Sequence, residues 1–159
     1  MRRYSYVGPD DIRRRVAGSA RGAEIRSVAN LASLLRGDPM TFVVDAEGTL
    51  RVADRRSEHV ACAGGGDVLA AGELTAVRDG ATVRVTDISN QSTGYCPEPA
   101  SWTAVARALD DAGIAHPGGF TCEATFRRCP KCGERNLVKD DWFECALCSE
   151  ELPRAWNFQ

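Results

Sequence analysis

The sequence contains no apolar run long enough to cross a bilayer, few aromatic residues and no internal repeat. A transmembrane helix needs about 20 consecutive apolar residues, so we expect no contact with a membrane. The first residues, MRRYSYVGPDD, are basic but have no apolar segment behind them, which argues against a secretory signal. We therefore expect a cytoplasmic protein, in a compartment where thiols stay reduced.

A substantial apolar fraction and seven cysteines stand out among the residues that are present. Hydrophobic residues make up 43% of the 159 residues, which is enough for the core of one medium domain with a small appendage. In a reducing compartment, seven cysteines suggest metal binding, catalysis or core packing before they suggest disulfides.

The net charge of −2 is distributed unevenly along the chain. Residues 1–36 carry eight basic and three acidic side chains, residues 37–126 carry six and thirteen, and residues 127–159 carry six of each. The basic N-terminal part indicates a solvated arginine-rich face. Contact of that part with an anion, or with the acidic middle of the chain, stays open as an alternative.

Apolar periodicity predicts an α+β fold with a mostly antiparallel sheet and three helices. Ser27 and Ser101 are expected to cap the second and third helices, and Gly113 to end the third. The two N-terminal helices also leave a helix-turn-helix open, although apolar stripes at this spacing more often face a core. The predicted helices cover GPDDIRRRVAG, SVANLASLLRG and SWTAVARALDDAG.

Alternating residues predict two hairpins and a final strand. The first hairpin covers residues 41–53, and the strand covers 120–126. The second hairpin is expected to turn through three residues, Arg78-Asp79-Gly80, with Gly80 in the left-handed conformation. Pairing centred on Asp79 would bring Asn90 close to Val68 and Ser92 close to Gly66.

Two CxxC pairs follow this region, and they divide the chain into an α+β domain over 1–126 and an appendage over 127–159. A CxxC turn presents two sulfurs to one metal, and zinc binds four thiolates tetrahedrally. Gly133 follows the first pair and Ser149 takes the same place after the second. We expect structural Zn²⁺, with iron as the alternative, and the four ligands are Cys129, Cys132, Cys145 and Cys148.

The cysteine segment resembles a zinc ribbon with two rubredoxin-type knuckles between Cys129 and Cys148. Its Lys and Arg residues are balanced by acidic ones, which argues against nucleic acid as a partner. The aromatic C-terminal tail contains Trp156 and Phe158, which we expect to fold back over the ribbon. A docking tag for a partner is the alternative for this tail.

Polar residues and glycines also concentrate in the middle of the chain, where the second hairpin would bring them together. The candidate catalytic residues are His59, Glu73, Ser92 and Tyr95, with Glu58 as an alternative carboxylate. The candidate ligand-binding residues are Gly65, Gly66, Asn90 and Thr93. A second metal site from His59, Cys62, Cys96, His116 and Cys122 is a lesser alternative, because three cysteines outside the ribbon more often pack in a core.

This middle segment resembles one found in plant IQ-motif calmodulin-binding proteins and bacterial effector-like proteins. The resemblance rests on a histidine, a glycine run, an Ala-Ala-Gly-x-Leu segment and a Ser-x-Gly-Tyr turn. The chain has no IQ motif, so the resemblance implies a shared fold unit and not calmodulin binding. The matching residues are His59, Gly64 to Gly66, Ala70 to Leu74 and Ser92 to Pro97.

Two functions follow from these features. The first is a small zinc-ribbon module that binds another protein or regulates it. The alternative is an enzyme or ligand-binding domain for a nucleotide-type substrate, for example in ADP-ribosyl transfer, at the cluster of His59, Gly66 and Ser92. In that alternative His59 acts as general base, Glu73 as its carboxylate partner, and the remaining polar side chains bind substrate. The sequence leaves the oligomeric state open.

Overall fold

A computed structural model describes residues 1–159. The elements are α1 (Asp10–Arg15), β1 (Ala23–Ile25), α2 (Val28–Ala32), β2 (Met40–Asp45), β3 (Leu50–Ala53), α3 (His59–Cys62), β4 (Val68–Asp79), β5 (Thr82–Ile88), a 3-10 turn (Pro99–Ser101), α4 (Trp102–Asp111), β6 (Thr125–Arg128) and β7 (Arg135–Val138). The fold is α+β, with a five-stranded antiparallel sheet in the order β1-β3-β2-β4-β5 and a separate two-stranded sheet of β6 and β7. None of the helices has the length and apolar character needed to cross a membrane.

Strand β2 forms the centre of the core, and all six of its residues are buried. Successive strand residues point to opposite faces of a sheet. Phe42 and Val44 accordingly join the larger core, which α2 and α4 cover, while Val43 joins a smaller core under α3. The N-terminal segment closes this second face through Tyr4, which exchanges backbone hydrogen bonds with Val68.

The three predicted helices form, and a fourth one is added. Ser27 caps α2 as expected, because its Oγ accepts the Asn30 N–H at 3.2 Å. Ser101 holds the N-cap position of α4, as expected, but its side chain makes no capping bond there, because its Oγ donates to the Glu98 carbonyl of the preceding 3-10 turn. Strand β1 separates α1 from α2, which excludes the helix-turn-helix arrangement. The added helix, α3, has only four residues, and no helix was predicted for this segment of the chain.

Both hairpins form, but the second has a different turn from the one predicted. Asp79 pairs with Thr82, so the loop has two residues, Gly80 and Ala81. Gly80 has φ 62°, and a positive φ at the first loop position is typical of a type II′ turn. The register therefore shifts, and Asn90 does not pair with Val68, which instead pairs with Asp45 and Tyr4.

The chain from the main sheet into the cysteine segment is only partly extended. The strand expected over 120–126 begins at Thr125, as β6, and continues to Arg128. The proposed division after residue 126 thus falls inside β6. Phe126 packs with Phe158 in a small core at this junction. Trp156 donates from Nε1 to the Cys96 carbonyl at 2.8 Å, so the tail folds back onto the junction between the two sheets.

Candidate metal centre

Four cysteine sulfurs converge at the end of the two-stranded sheet. Their Sγ atoms all lie within 4.8 Å of one another, with 3.5 Å between Cys129 and Cys148 and 3.6 Å between Cys132 and Cys145. Four sulfurs about 2.3 Å from a central zinc ion are about 3.8 Å apart. The cluster therefore has the dimensions of a tetrahedral four-thiolate site, and these cysteines are positioned to hold a metal ion.

The two CxxC turns have the same backbone structure. Gly133 N donates to the Cys129 carbonyl at 3.0 Å, and Ser149 N donates to the Cys145 carbonyl at 2.9 Å. Gly133 and Ser149 both have positive φ, 78° and 64°. Each turn is then closed by a 2.8 Å bond from its first cysteine N–H, to Glu134 O in one and Glu150 O in the other. Two copies of one local turn thus face each other across the site.

Hydrogen bonds to sulfur favour the thiolate form that a metal requires. Cys145 Sγ accepts from Leu147 N and from the Asn136 side-chain amide, both at 3.4 Å. Burial raises the pKa of Cys145, but the Cys148 and Leu147 N–H groups and the Asn136 amide outweigh it and lower this pKa to about 6. The pKa of Cys129 is lowered as well, since backbone N–H groups of Cys132 and Lys131 overcome the effect of its burial. For the other two cysteines, the backbone N–H groups of Glu134 and Glu150 lower the pKa values, but burial and bonds to neighbouring cysteine sulfurs outweigh them and raise these pKa values, for Cys132 to about 12.

Asn136 was not foreseen as part of this site. It is buried in β7, and its Oδ1 accepts the Ala146 N–H at 2.9 Å while its Nδ2 donates to Cys145 Sγ. Groups that orient the ligands in this way tune a metal site from outside the ligand shell. The available signal was an amide side chain in the short strand-like run Asn136-Leu137-Val138 between the two CxxC pairs.

The other cysteines do not build a second metal site. The four clustered cysteines are the only group of three or more metal-binding side chains that could share an ion. Cys62 is the last residue of α3, its Sγ donates to the Arg51 carbonyl at 3.6 Å, and burial raises its pKa to about 11. Cys96 is buried beside Phe126. All seven cysteines are free of disulfides.

The polar residues after β5 make their hydrogen bonds within the protein. Tyr95 is buried and donates from its hydroxyl to the Gly66 carbonyl at 2.7 Å, which brings this turn to the glycine run. The Asn90 amide bonds to Ala124 and to Pro97 O. Ser92 Oγ accepts the Tyr95 N–H at 3.3 Å, and exposed Thr93 offers its carbonyl to Arg135.

His59 lies at the start of α3, apart from that turn. Its Nε2 donates to the Gly72 carbonyl at 2.9 Å, and no hydrogen bond joins it to Glu73, Ser92 or Tyr95. Burial lowers the pKa of His59, although Gly72 and the nearby charge of Glu73 oppose the shift.

The glycine run ends α3. Gly64 and Gly65 both have positive φ, and their N–H groups donate to carbonyls of that helix. A ligand-binding or catalytic role for this cluster stays a prediction.

Comparison with known proteins adds no relatives. No protein-family model matches the chain, and no curated protein or solved structure matches it either. The metal centre is therefore defined by its own geometry.

Proposed function

We propose that the chain is a small protein-binding module whose C-terminal ribbon is held together by a structural zinc ion. The observation that carries the proposal is the closed set of four thiolates. Four protein ligands complete the tetrahedral shell of zinc and leave no position for a substrate, whereas catalytic zinc sites keep one position open. The metal ion accordingly has a structural role and not a catalytic one.

The small size of the ribbon core supports a structural role for the ion. Only three residues, Cys129, Cys145 and Leu152, are fully buried within it, and two of them are ligands. So small a core does not stabilise a domain by itself, and a metal commonly supplies the missing stability.

Elemental analysis of the reduced protein tests the metal. One zinc per chain is expected, and replacement by Co²⁺ is expected to give the absorption of a tetrahedral thiolate site. Iron in place of zinc corrects the identity of the ion, and the absence of any bound metal overturns the proposal.

The partner-binding role is supported by apolar side chains on the ribbon surface. Trp142 and Leu147 are each 69% exposed, and Leu137 is 38% exposed. Only two other large hydrophobic residues of the chain, Met1 and Val77, are exposed. Exposed apolar surface that is concentrated in one small unit is typical of an interaction site.

Site-specific photo-crosslinking in cells tests this role. A photoreactive residue at position 142 or 147 is expected to capture one specific protein, whereas the same residue at position 77, on the main-sheet hairpin, is not. Equal capture from all three positions, or capture from none, contradicts a partner-binding ribbon.

A further inference from the structure

The two edges of the ribbon sheet differ in how their backbone groups are satisfied. On the β6 edge, the Asn157 side chain accepts the Arg128 N–H at 2.8 Å and donates to the Arg128 carbonyl at 2.7 Å. On the other edge, the backbone groups of β7 make no hydrogen bond beyond their pairing with β6. An open strand edge of this kind is a template for pairing with another extended chain.

A groove runs along this open edge of β7. Its volume is about 530 Å³, and apolar side chains of Leu137, Ala146 and Leu147 line it together with polar residues of β7 and its ends. Leu147 is 69% exposed, so the second knuckle provides an apolar wall that nothing in the chain covers. The groove therefore combines free main-chain groups with apolar contacts, which are the two requirements for strand addition.

The charges beside the groove indicate what kind of strand fits. Side chains two residues apart share one face of a strand, so Arg135 and Lys139 flank Leu137 on the same face. One guanidinium N–H of Arg135 donates to the Thr93 carbonyl, but neither Arg135 nor Lys139 has a carboxylate partner in the protein, since the ion pairs all lie elsewhere. Glu134 is the one acidic residue in the lining. Opposite charges across paired strands stabilise the pairing.

We propose that β7 accepts an extended segment of a partner protein as a third strand of the ribbon sheet. The segment carries an apolar residue between two acidic residues, each two positions away, so that it matches Leu137 between Arg135 and Lys139. This inference rests on the proposed protein-binding function and specifies the surface and the chemistry of the partner. Main-chain hydrogen bonds supply general affinity, and the three side chains supply selectivity.

A synthetic peptide tests the surface directly on the full-length, zinc-loaded protein. The probe is acetyl-Thr-Glu-Thr-Val-Thr-Glu-Thr-amide, which places Glu, Val and Glu on one face. In an NMR titration up to millimolar peptide, we expect shifts of the amides of residues 134–139 and 146–147. We also expect slower hydrogen exchange within β7. Shifts confined to other residues, or no shifts at all, overturn the proposal.

Two altered peptides distinguish strand addition from a purely electrostatic attraction between peptide and protein. Replacing both Glu residues by Lys is expected to weaken binding by about tenfold or more, which corresponds to about 1.4 kcal/mol. N-methylation of alternate amides, on the edge that pairs, removes the main-chain donors and is expected to abolish the shifts. Binding that survives both changes contradicts pairing at β7.

Matched variants of the protein complete the test. Leu137→Glu is expected to abolish peptide binding, while Val77→Glu, at a side chain of nearly equal exposure (39% against 38%), leaves it unchanged. The Co²⁺ spectrum of each variant reports whether the ribbon is intact. If positions 142 and 147 crosslink a partner but the peptide does not touch β7, the binding function stands and the edge proposal fails.

Discussion

Ser149 holds the same position in the second CxxC turn that Gly133 holds in the first. Their φ angles are 64° and 78°, and their N–H groups donate to the carbonyls of Cys145 and Cys129. A left-handed conformation costs a residue with a side chain about 1–2 kcal/mol but costs glycine almost nothing. The protein thus contains the same turn twice, once with a strained serine and once with an unstrained glycine.

Exchanging these residues is expected to move stability in opposite directions. Ser149→Gly removes strain and is expected to raise the free energy of unfolding by about 0.5 kcal/mol, after the greater chain entropy of glycine is subtracted. Gly133→Ser is expected to lower it by about 1 kcal/mol, since a Cβ at this position would meet open space and only the backbone would be strained. Guanidinium unfolding at fixed free zinc measures both, and changes of the same sign count against the explanation.

Removal of the metal is expected to unfold the ribbon and to leave the main sheet folded. The ribbon core has three buried residues, whereas the main core has nineteen. Hydrogen exchange after chelation should therefore speed up over 127–152 and stay slow over β2 and β4. Cys132→Ser is expected to have the same effect.

Cys122→Ser is the matched control for that experiment. Both Cys122 and Cys132 are exposed, but only Cys132 belongs to the metal cluster. The control is expected to keep one metal ion per chain. Loss of the metal from the Cys122 variant, or protection of the ribbon without metal, goes against the assignment.

The buried ion pair of Asp45 and Arg51 is expected to make folding sensitive to acid. The two side chains are 4% and 11% exposed, and their charged atoms are 2.8 Å apart. Burial alone raises the pKa of Asp45, but Arg51 and the N–H groups of Thr49 and Glu47 lower it below 3.8. The stabilisation is therefore complete above pH 3.8 and is lost as the pH falls through the lower pKa of the folded state.

Asp45→Asn tests this ion pair. We expect a loss of about 3 kcal/mol at pH 7, because the variant leaves Arg51 without its buried partner. We also expect a weaker dependence of stability on pH below 4. Denaturant unfolding across that range is the measurement, and a variant that keeps the wild-type acid sensitivity shows that other groups cause it.

His59 gives a second test of pH dependence, at higher pH. Burial lowers its pKa below 6.5 in the folded protein, so the unfolded chain binds a proton first as the pH falls. Stability is then complete above pH 6.5 and decreases below it. His59→Gln retains a donor for the Gly72 carbonyl, and it is expected to reduce this decrease between pH 6.5 and 5.

The same variant also tests the catalytic alternative. We expect neither the wild-type protein nor His59→Gln to consume NAD⁺, because four clustered thiolates leave a metal no open position and the Tyr95 hydroxyl donates to the Gly66 carbonyl. Turnover by the wild type that disappears in a folded His59→Gln variant contradicts a purely protein-binding role.

Features that depend on neighbouring residues were predictable, and those that depend on distant ones were not. The four ligands follow from their spacing, because each CxxC turn is a local structure. The β4–β5 register depends on the turn type at Gly80 and on an irregularity between Thr75 and Ala76. Helix α3 has too few residues to show a period, and it forms where packing on β2 favours it.

The sequence by itself determined the α+β class and the identity of the four clustered cysteines, since apolar periodicity and short spacing decide these. Only the tertiary structure decided that Asn136 bonds to a ligand, that Trp156 reaches Cys96 sixty positions away, and that one edge of the ribbon is covered while the other is open. The reason is that burial and strand pairing join residues far apart in the chain, and no local pattern records which of them meet.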